Sequence, residues 1–426
     1  MEEPGRYDIA FKYAYCGERS NVNQVATLAV SNIVQKLDGM ILENTYKKGE
    51  NKVFVTSNKV SIVLPKGVSY LKFVATSIPF PDIAEIVLTR NENPEILVDE
   101  DIECKNRVTN QEDRKWELDY EDVEPVGIQF KEVCEDWTKL RPFLEQLSNK
   151  ELASIVSGTL LNATPYGDVG CNVPNFSRGI PPAQTADGPE GLRQRGHLPT
   201  AYPSCIILAS TFNTELYKEH GATMGEECLF YGVDLWLAPA INIFRSPLGG
   251  RNSSYASEDP YLTGVFAIEI INGVQELGVA ATLKHYCANN TEFERLKSNS
   301  RLSERALREI YIKAFEMAVK EANPWFIMSS YNNANDVKVC ENYELITTIP
   351  RDEWHWDGTF VTDWWNDSDH VEELKAGHDL KMATGDIDGV TAALDSGELT
   401  REQVYVCAER ILKSISKLKT ANERIK

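Results

Sequence analysis

The feature that most limits what this chain can fold into is an alternation. From about residue 141 to 418, short apolar runs take turns with stretches of helical periodicity. The runs are Ala183-Gln184-Thr185-Ala186, Cys205-Ile206-Ile207-Leu208, Val233-Asp234-Leu235-Trp236-Leu237, Val279-Ala280-Ala281-Thr282-Leu283, Trp325-Phe326-Ile327-Met328-Ser329, Thr359-Phe360-Val361-Thr362 and Leu380-Lys381-Met382. One helix is predicted to start at the cap Ser303, with Glu304 in its first turn and Ala306, Leu307, Ile310, Tyr311, Ala314, Phe315, Ala318 and Val319 on one face. Another runs from Tyr261 to Leu277 before Gly278 ends it, and Phe143 to Ala153 reads as a third. Strand then helix, repeated, predicts an α/β fold. Residues 141–426 are assigned to a (β/α)8-type TIM barrel with a closed parallel sheet.

Residues 1–95 read as a smaller β-sandwich, with alternation in Tyr7 to Tyr13, Lys52 to Val55, Val60 to Leu64 and Tyr70 to Val74. The order GRYDIAFKYA, VATLAVSNIVQ, VSIVLPKGVSYLKFVA, PDIAEIVLTR resembles the later strands of a carbohydrate-binding jelly roll of the family 6 and 35 type, without its opening strands. A sandwich that serves only as a spacer is an equally open reading, and no binding residue is assigned there. Residues 96–140 turn acidic and irregular, as a linker or wrapping segment does.

Charge and residue usage exclude several functions. With 44 basic against 64 acidic residues and a formal charge of −20, the chain repels phosphate backbones and anionic lipid, so neither nucleic acid nor membrane is an expected partner. No apolar run approaches the roughly 20 residues that span a bilayer, and MEEPGRYD lacks the regions of a signal peptide, which reads as cytoplasmic. The nine cysteines are scattered and fit reduced thiols, and the six histidines form no paired-ligand motif, so no metal or cofactor is expected.

In a parallel barrel the ligand site lies where the strands end. The predicted strand ends supply Asp187, then Asn242, Arg245 and Arg251 on a Gly/Pro-rich loop, then Lys284 and His285, Tyr331 and Asn332, and Asp363 followed by Trp364. That set is polar and mixed in charge, whereas a barrel interior needs branched apolar side chains. Asp187, Arg251, Lys284 and His285 suit charge-assisted hydrogen bonds to the hydroxyls of a sugar ring, and Trp364 suits its apolar face. Structural alternatives stay open: Lys284 and His285 as a salt-bridged rim, Arg251 paired with Glu258 or Asp259, and Tyr331 in the core.

TADGPEGLR, GEECLFYGVDLWLAPAINIFRSPLGGRN with SEDP after it, KHYCANNTEFER, SERALREIYIKAFEMAVK, MSSYN and DGTFVTDWW resemble the catalytic barrel of glycoside hydrolase family 3, most closely its β-glucosidase branch. The resemblance covers about residues 140 to 418 and implies retaining hydrolysis of β-linked glucosides or oligosaccharides. It implies Asp363 as nucleophile, Asp187, Arg251, Lys284, His285 and Tyr331 as sugar-binding residues, and Trp364 as the aromatic beside the nucleophile. A retaining nucleophile acts as a carboxylate about 5 to 5.5 Å from a second carboxyl group. Asp363 must therefore be ionised, and Lys284 and Arg251 are expected to lower its pKa.

Three departures stand out. Arg251-Asn252-Ser253-Ser254 lacks the acid that usually closes this loop, Thr362 stands for a Ser, and no Pro follows Met382. The larger difference is the general acid/base, for which no residue is assigned. In the β-glucosidase branch a second α/β sandwich domain supplies it, and in the other branch a His does, which Tyr286 to Asn290 does not contain. Glu292 matches a position without a proton-transfer role. Some members place the barrel last, so the resemblance implies a downstream portion of such an enzyme, completed by an upstream domain or a partner chain. The alternatives are a non-catalytic sugar-binding subunit or pseudoenzyme, and a β-xylosidase or arabinofuranosidase on the same barrel.

Overall fold

A strand that is apolar along its whole length needs cover on both faces, and the central strands of this protein have it. The computed structural model describes residues 5–14, 20–21, 26–30, 33–35, 41–42, 51–64, 71–75, 82–90, 124–160, 169–193 and 199–423. The chain divides into two units, Met1–Arg107 and Val108–Lys426. In the second, β1 (Thr185–Asp187), β2 (Leu235–Leu237), β3 (Ala280–Tyr286), β4 (Phe326–Ser329) and β5 (Thr359–Thr362) form a parallel sheet in that order. Leu235, Leu237, Phe326, Met328 and Val361 join one apolar cluster with Leu380, Met382 and Ile411. Trp236, Ala281, Leu283, Ile327 and Phe360 join the other, beneath helices α1 (Thr214–Tyr231), α2 (Pro260–Gln275) and α3 (Lys313–Ala322). Side chains thus alternate between two buried faces with the period of two that strands impose.

Hydrogen bonds continue past both edges of this sheet. Leu380 N donates to Phe360 O at 2.9 Å, Thr362 N to Leu380 O at 3.0 Å, and Gly158 N to Lys381 O at 2.8 Å. Gly158–Thr159 pairs antiparallel with Cys171–Asn172, and Thr185 N of β1 donates to Gly170 O at 2.9 Å.

Caps set the helix ends. Asp259 accepts from Tyr261 N at 2.9 Å to start α2, and Ser303 accepts from Ala306 N at 3.2 Å. Several segments differ from expectation, among them the helix from Ser303, which is interrupted by a π segment at Leu307–Tyr311 and leaves Ile310 40% exposed. The stretch Phe143 to Ala153 is broken into Leu140–Glu145 and Asn149–Ile155, because Ser148 and Glu151 form a reciprocal capping box between them. Cys205–Ala209 is a helix, not a strand: Cys205 and Ala209, four apart, are buried while Ile207 is 60% exposed. Leu380 and Lys381 make only single parallel bridges, to Val361 and Ser157. Within the segment read as linker, Phe130–Glu135 is a helix whose Phe130 and Val133 are fully buried; residues 96–123 lie outside the described residues.

In the first unit Gly5–Ala14 pairs antiparallel with Val55–Thr56, Val60–Leu64 and Asp82–Arg90. Separately, Ala26–Val30 pairs antiparallel with Ile33–Gln35 and Leu71–Ala75. Tyr7, Ile9, Phe11 and Tyr13 are buried along the first of these strands, while Lys12 is exposed.

Candidate active site

Because the five strands are parallel, their carboxyl ends open on one side, and the polar residues collect there. Asp187 is the last residue of β1, Lys284 and His285 lie near the end of β3, Tyr331 follows β4 by two residues, and Asp363 follows β5 directly. Lys284 Nζ donates to Asp187 Oδ1 at 2.6 Å, and Arg193 Nη1 is 3.4 Å from Asp187 Oδ2. Asp363 Oδ1 accepts from the Trp364 N–H at 2.8 Å, and its Oδ2 is 3.7 Å from His285 Nε2. Tyr331 donates its hydroxyl proton to Trp364 O at 2.7 Å and faces the Asp363 carboxylate as well. Arg251 acts on Asp363 and Asp187 through space and has its Nη1 3.5 Å from Glu292 Oε1. Asp187, Arg251, Lys284, His285, Tyr331 and Asp363, separated along the chain, therefore form one network.

The electrostatics of the two aspartates diverge. Burial would raise the Asp187 pKa, but the Lys284 ammonium against it brings it down to about 2. Asp363 was expected to be lowered as well, and it is not. Its burial outweighs Lys284, the Trp364 N–H, Tyr331 and Arg251, so its pKa lies above the usual aspartate value. His285 is pushed well below the usual range by burial, then by Arg251, Lys284 and Arg295. It is a neutral imidazole at neutral pH, so it brings no positive charge of its own to its contacts.

The neighbours of His285 explain its placement. Asn242, which follows β2, accepts the His285 N–H on Oδ1 at 2.9 Å and donates Nδ2 to His285 O at 2.8 Å. Its Oδ1 also lies 3.3 Å from His285 Nδ1. Trp364 is turned differently from expectation. Its ring sits in the apolar cluster with Leu235 and Val361, with Nε1 donating to Val169 O at 2.8 Å, while the next residue, Trp365, is 65% exposed. Among the described residues no group of three His, Cys, Asp or Glu is arranged to hold a metal ion.

Residues 146–414 match the family model described as Glycosyl hydrolase family 3 N terminal domain. The chain belongs to glycosyl hydrolase family 3. A relative in the family, Beta-glucosidase A of Butyrivibrio fibrisolvens, is 38% identical over 400 residues, which is 90% of this chain and 47% of that protein. Exo-alpha-(1->6)-L-arabinopyranosidase of Bifidobacterium longum is 40% identical over 293 residues, 66% of this chain and 38% of that protein. The structure of β-glucosidase 3B from Thermotoga neapolitana in complex with glycerol aligns with a TM-score of 0.63 at 40% identity, covering 66% of this chain and 43% of the other. The chain spans less than half the length of each of these family 3 proteins.

The family 3 site of this chain also contains residues that strand ends did not indicate. Arg295 pairs with Glu292 at 3.0 Å and places its guanidinium 4.7 Å over the Tyr331 ring. Glu292 thereby ties Arg251 to Arg295, and neither Glu258 nor Asp259 is the partner of Arg251. Its backbone N donates to Gly249 O at 3.0 Å, joining two rim loops. Tyr255 is buried beside Arg251, with its hydroxyl 3.3 Å from Asn289 Nδ2. The run NNTEFER held the signal for Glu292 and Arg295, but it follows a strand by several residues and has no periodicity to aim its side chains.

Proposed function

We propose that this chain carries the nucleophile-bearing half of a retaining hydrolase of β-linked glucosides. The parallel sheet, with the hydrogen bonds that lead from both edges toward 157–159 and 170–172, is read as the closed barrel that forms its mouth. The observation that carries the proposal is the burial of Asp363 at a strand end, facing Lys284, Arg251, His285 and Tyr331. A desolvated carboxylate is a stronger nucleophile once ionised, and it attacks the anomeric carbon while the glycosidic oxygen leaves with the bonding pair. Asp187, held ionised by Lys284, accepts from ring hydroxyls, and Arg251 and Lys284 donate to them.

The leaving oxygen also needs a proton. Burial raises the pKa of Asp363 itself and of Glu373, and Glu373 is paired with Lys381. We assign the acid to a second domain or a partner chain, as the family resemblance implies, and without that proton donor alkyl glycosides react roughly 10² to 10⁴ more slowly. An activated aryl β-glucoside, whose leaving group needs little protonation, tests the proposal. One equivalent of aryl product is released per chain, and Asp363→Ala abolishes it; unchanged turnover in that variant rejects the assignment. Sugar binding without release favours a non-catalytic sugar-binding subunit. The second reading concerns the sugar, because the arabinopyranosidase relative is 40% identical over the 293 residues it matches, beside 38% over 400 for Beta-glucosidase A. Rates on aryl β-glucoside, β-xyloside, α-L-arabinopyranoside and α-L-arabinofuranoside decide it.

A further inference from the structure

Asp363 sits on a segment that is neither strand nor helix. Residues 363–369 connect β5 to helix α4 (His370–Ala376), so the carboxylate is only as well placed as this segment is held. Lys381 and Met382, further along the chain, hold it on both flanks. Before Asp363, the Thr362 hydroxyl donates to Met382 O at 3.0 Å and accepts from Met382 N at 2.8 Å. After it, Lys381 Nζ donates to Ser368 O at 2.8 Å, to Ser368 Oγ at 3.1 Å and to Glu373 Oε1 at 2.6 Å. Ser368 Oγ in turn hydrogen-bonds Glu373. All three ammonium protons are used, on a side chain that is 10% exposed.

Stability alone does not explain a buried lysine here. An ion pair in the interior contributes little more than apolar residues of the same size, since desolvation offsets most of the attraction. What the ammonium adds is direction: it fixes a backbone carbonyl of the 363–369 segment relative to Lys381, whose own peptide is locked by hydrogen bonds to Val156 O at 3.1 Å and from Gly158 N at 2.8 Å. We propose that Lys381 is a positioning residue for Asp363, and that its ammonium and the adjoining Met382 peptide clamp the nucleophile segment from both sides. This rests on the nucleophile reading of Asp363.

The experiment labels the full chain with 2-deoxy-2-fluoro-β-glucosyl fluoride and follows the added mass. The Asp363 carboxylate bonds to the anomeric carbon as fluoride leaves with its electron pair, so no proton donor is needed. Lys381→Gln lowers the labelling rate constant roughly 10²-fold, as displacement of a reacting group does. Its apparent affinity for the inactivator stays within about threefold, and Lys381→Arg restores most of the rate. An unchanged rate in Lys381→Gln, or equal loss of rate and affinity, overturns the proposal. If the unaltered chain is not labelled, the hydrolase reading fails, and amide exchange decides the clamp by itself. Amides 363–369 then exchange at least about tenfold faster in Lys381→Gln while those of α2 do not change, and equal protection overturns it. Should Lys381→Gln not fold, the double variant Lys381→Met with Glu373→Gln, which removes the ammonium and leaves no buried carboxylate unpaired, is read by the same two measurements with the same criteria.

Discussion

Replacing Lys284 with Met removes one ammonium and keeps the bulk of the side chain. Its Nζ lies 2.6 Å from Asp187 Oδ1, on a side chain only 3% exposed. In the native protein the Asp187 pKa falls from 3.8 to about 2, which at about 1.4 kcal/mol per pH unit is roughly 2.5 kcal/mol of stability at neutral pH. Without Lys284 burial is opposed only by the exposed Arg193 at 3.4 Å and the Gly188 N–H, so most of that contribution is lost and a poorly compensated charge adds to the deficit, for a total of about 3 kcal/mol. The sign follows from a depressed carboxylate pKa. The stabilisation is complete above the unfolded value of 3.8 and fades as pH falls toward about 2, so the deficit of the variant narrows over that window. Urea unfolding of both proteins at about pH 7 and about pH 3 measures it. A difference below about 0.5 kcal/mol at neutral pH, or one that does not shrink in acid, refutes the reasoning. The double variant with Asp187→Leu recovers most of the loss, because no charge is then left unpaired.

Asp363 has the opposite sign. A raised carboxyl pKa means that the native state is favoured below the unfolded value and loses that advantage as pH rises through the folded one. Asp363→Asn is therefore expected to stabilise the protein at neutral pH by roughly 1 kcal/mol, a rise of about 1 to 2 °C in Tm for a unit of this length, and to abolish labelling; a lower Tm at neutral pH contradicts this. Arg351 is paired with Asp379 at 2.8 Å in the interior, and the same carboxylate oxygen accepts the Phe360 N–H of β5 at 2.7 Å. Arg351→Met leaves Asp379 only Arg410 at 3.2 Å, and equilibrium unfolding is expected to show a loss of about 3 kcal/mol, whereas a loss under about 1 kcal/mol means that Arg410 suffices.

The parallel strands and the residues at their ends were legible because an apolar run stopped by one charged residue has few alternative readings. Thr359 to Thr362 followed by Asp363 is such a case, and so is the stretch from Ala280 to His285. Cys205 to Leu208 failed for the opposite reason: four apolar residues carry no period, and only Ile207 facing solvent reveals the helix. That the ring of Trp364 is packed and that of Trp365 exposed depends on the turn after β5, where Trp365 has φ of +55°. No pattern of residue types sets that angle. The direction of the Asp363 shift required weighing burial against four cationic or donor neighbours, and burial is a property of the packed chain. Glu292 and Arg295 come from a loop, where the order of residues says little about which side chains meet.

The carboxamide of Asn242 has a consequence for how such a mouth can vary. Strands must diverge at their ends if a sugar-sized hollow is to exist, and divergence ordinarily strips the last peptide groups of their partners. Here, just past the backbone bond from Ile241 N to Lys284 O at 2.7 Å, a side chain takes over and gives His285 both bonds that a neighbouring strand would have supplied. It works as a splint set at the point where the weave opens. Rim loops beyond it can be lengthened or exchanged without the fraying travelling down into the apolar interior.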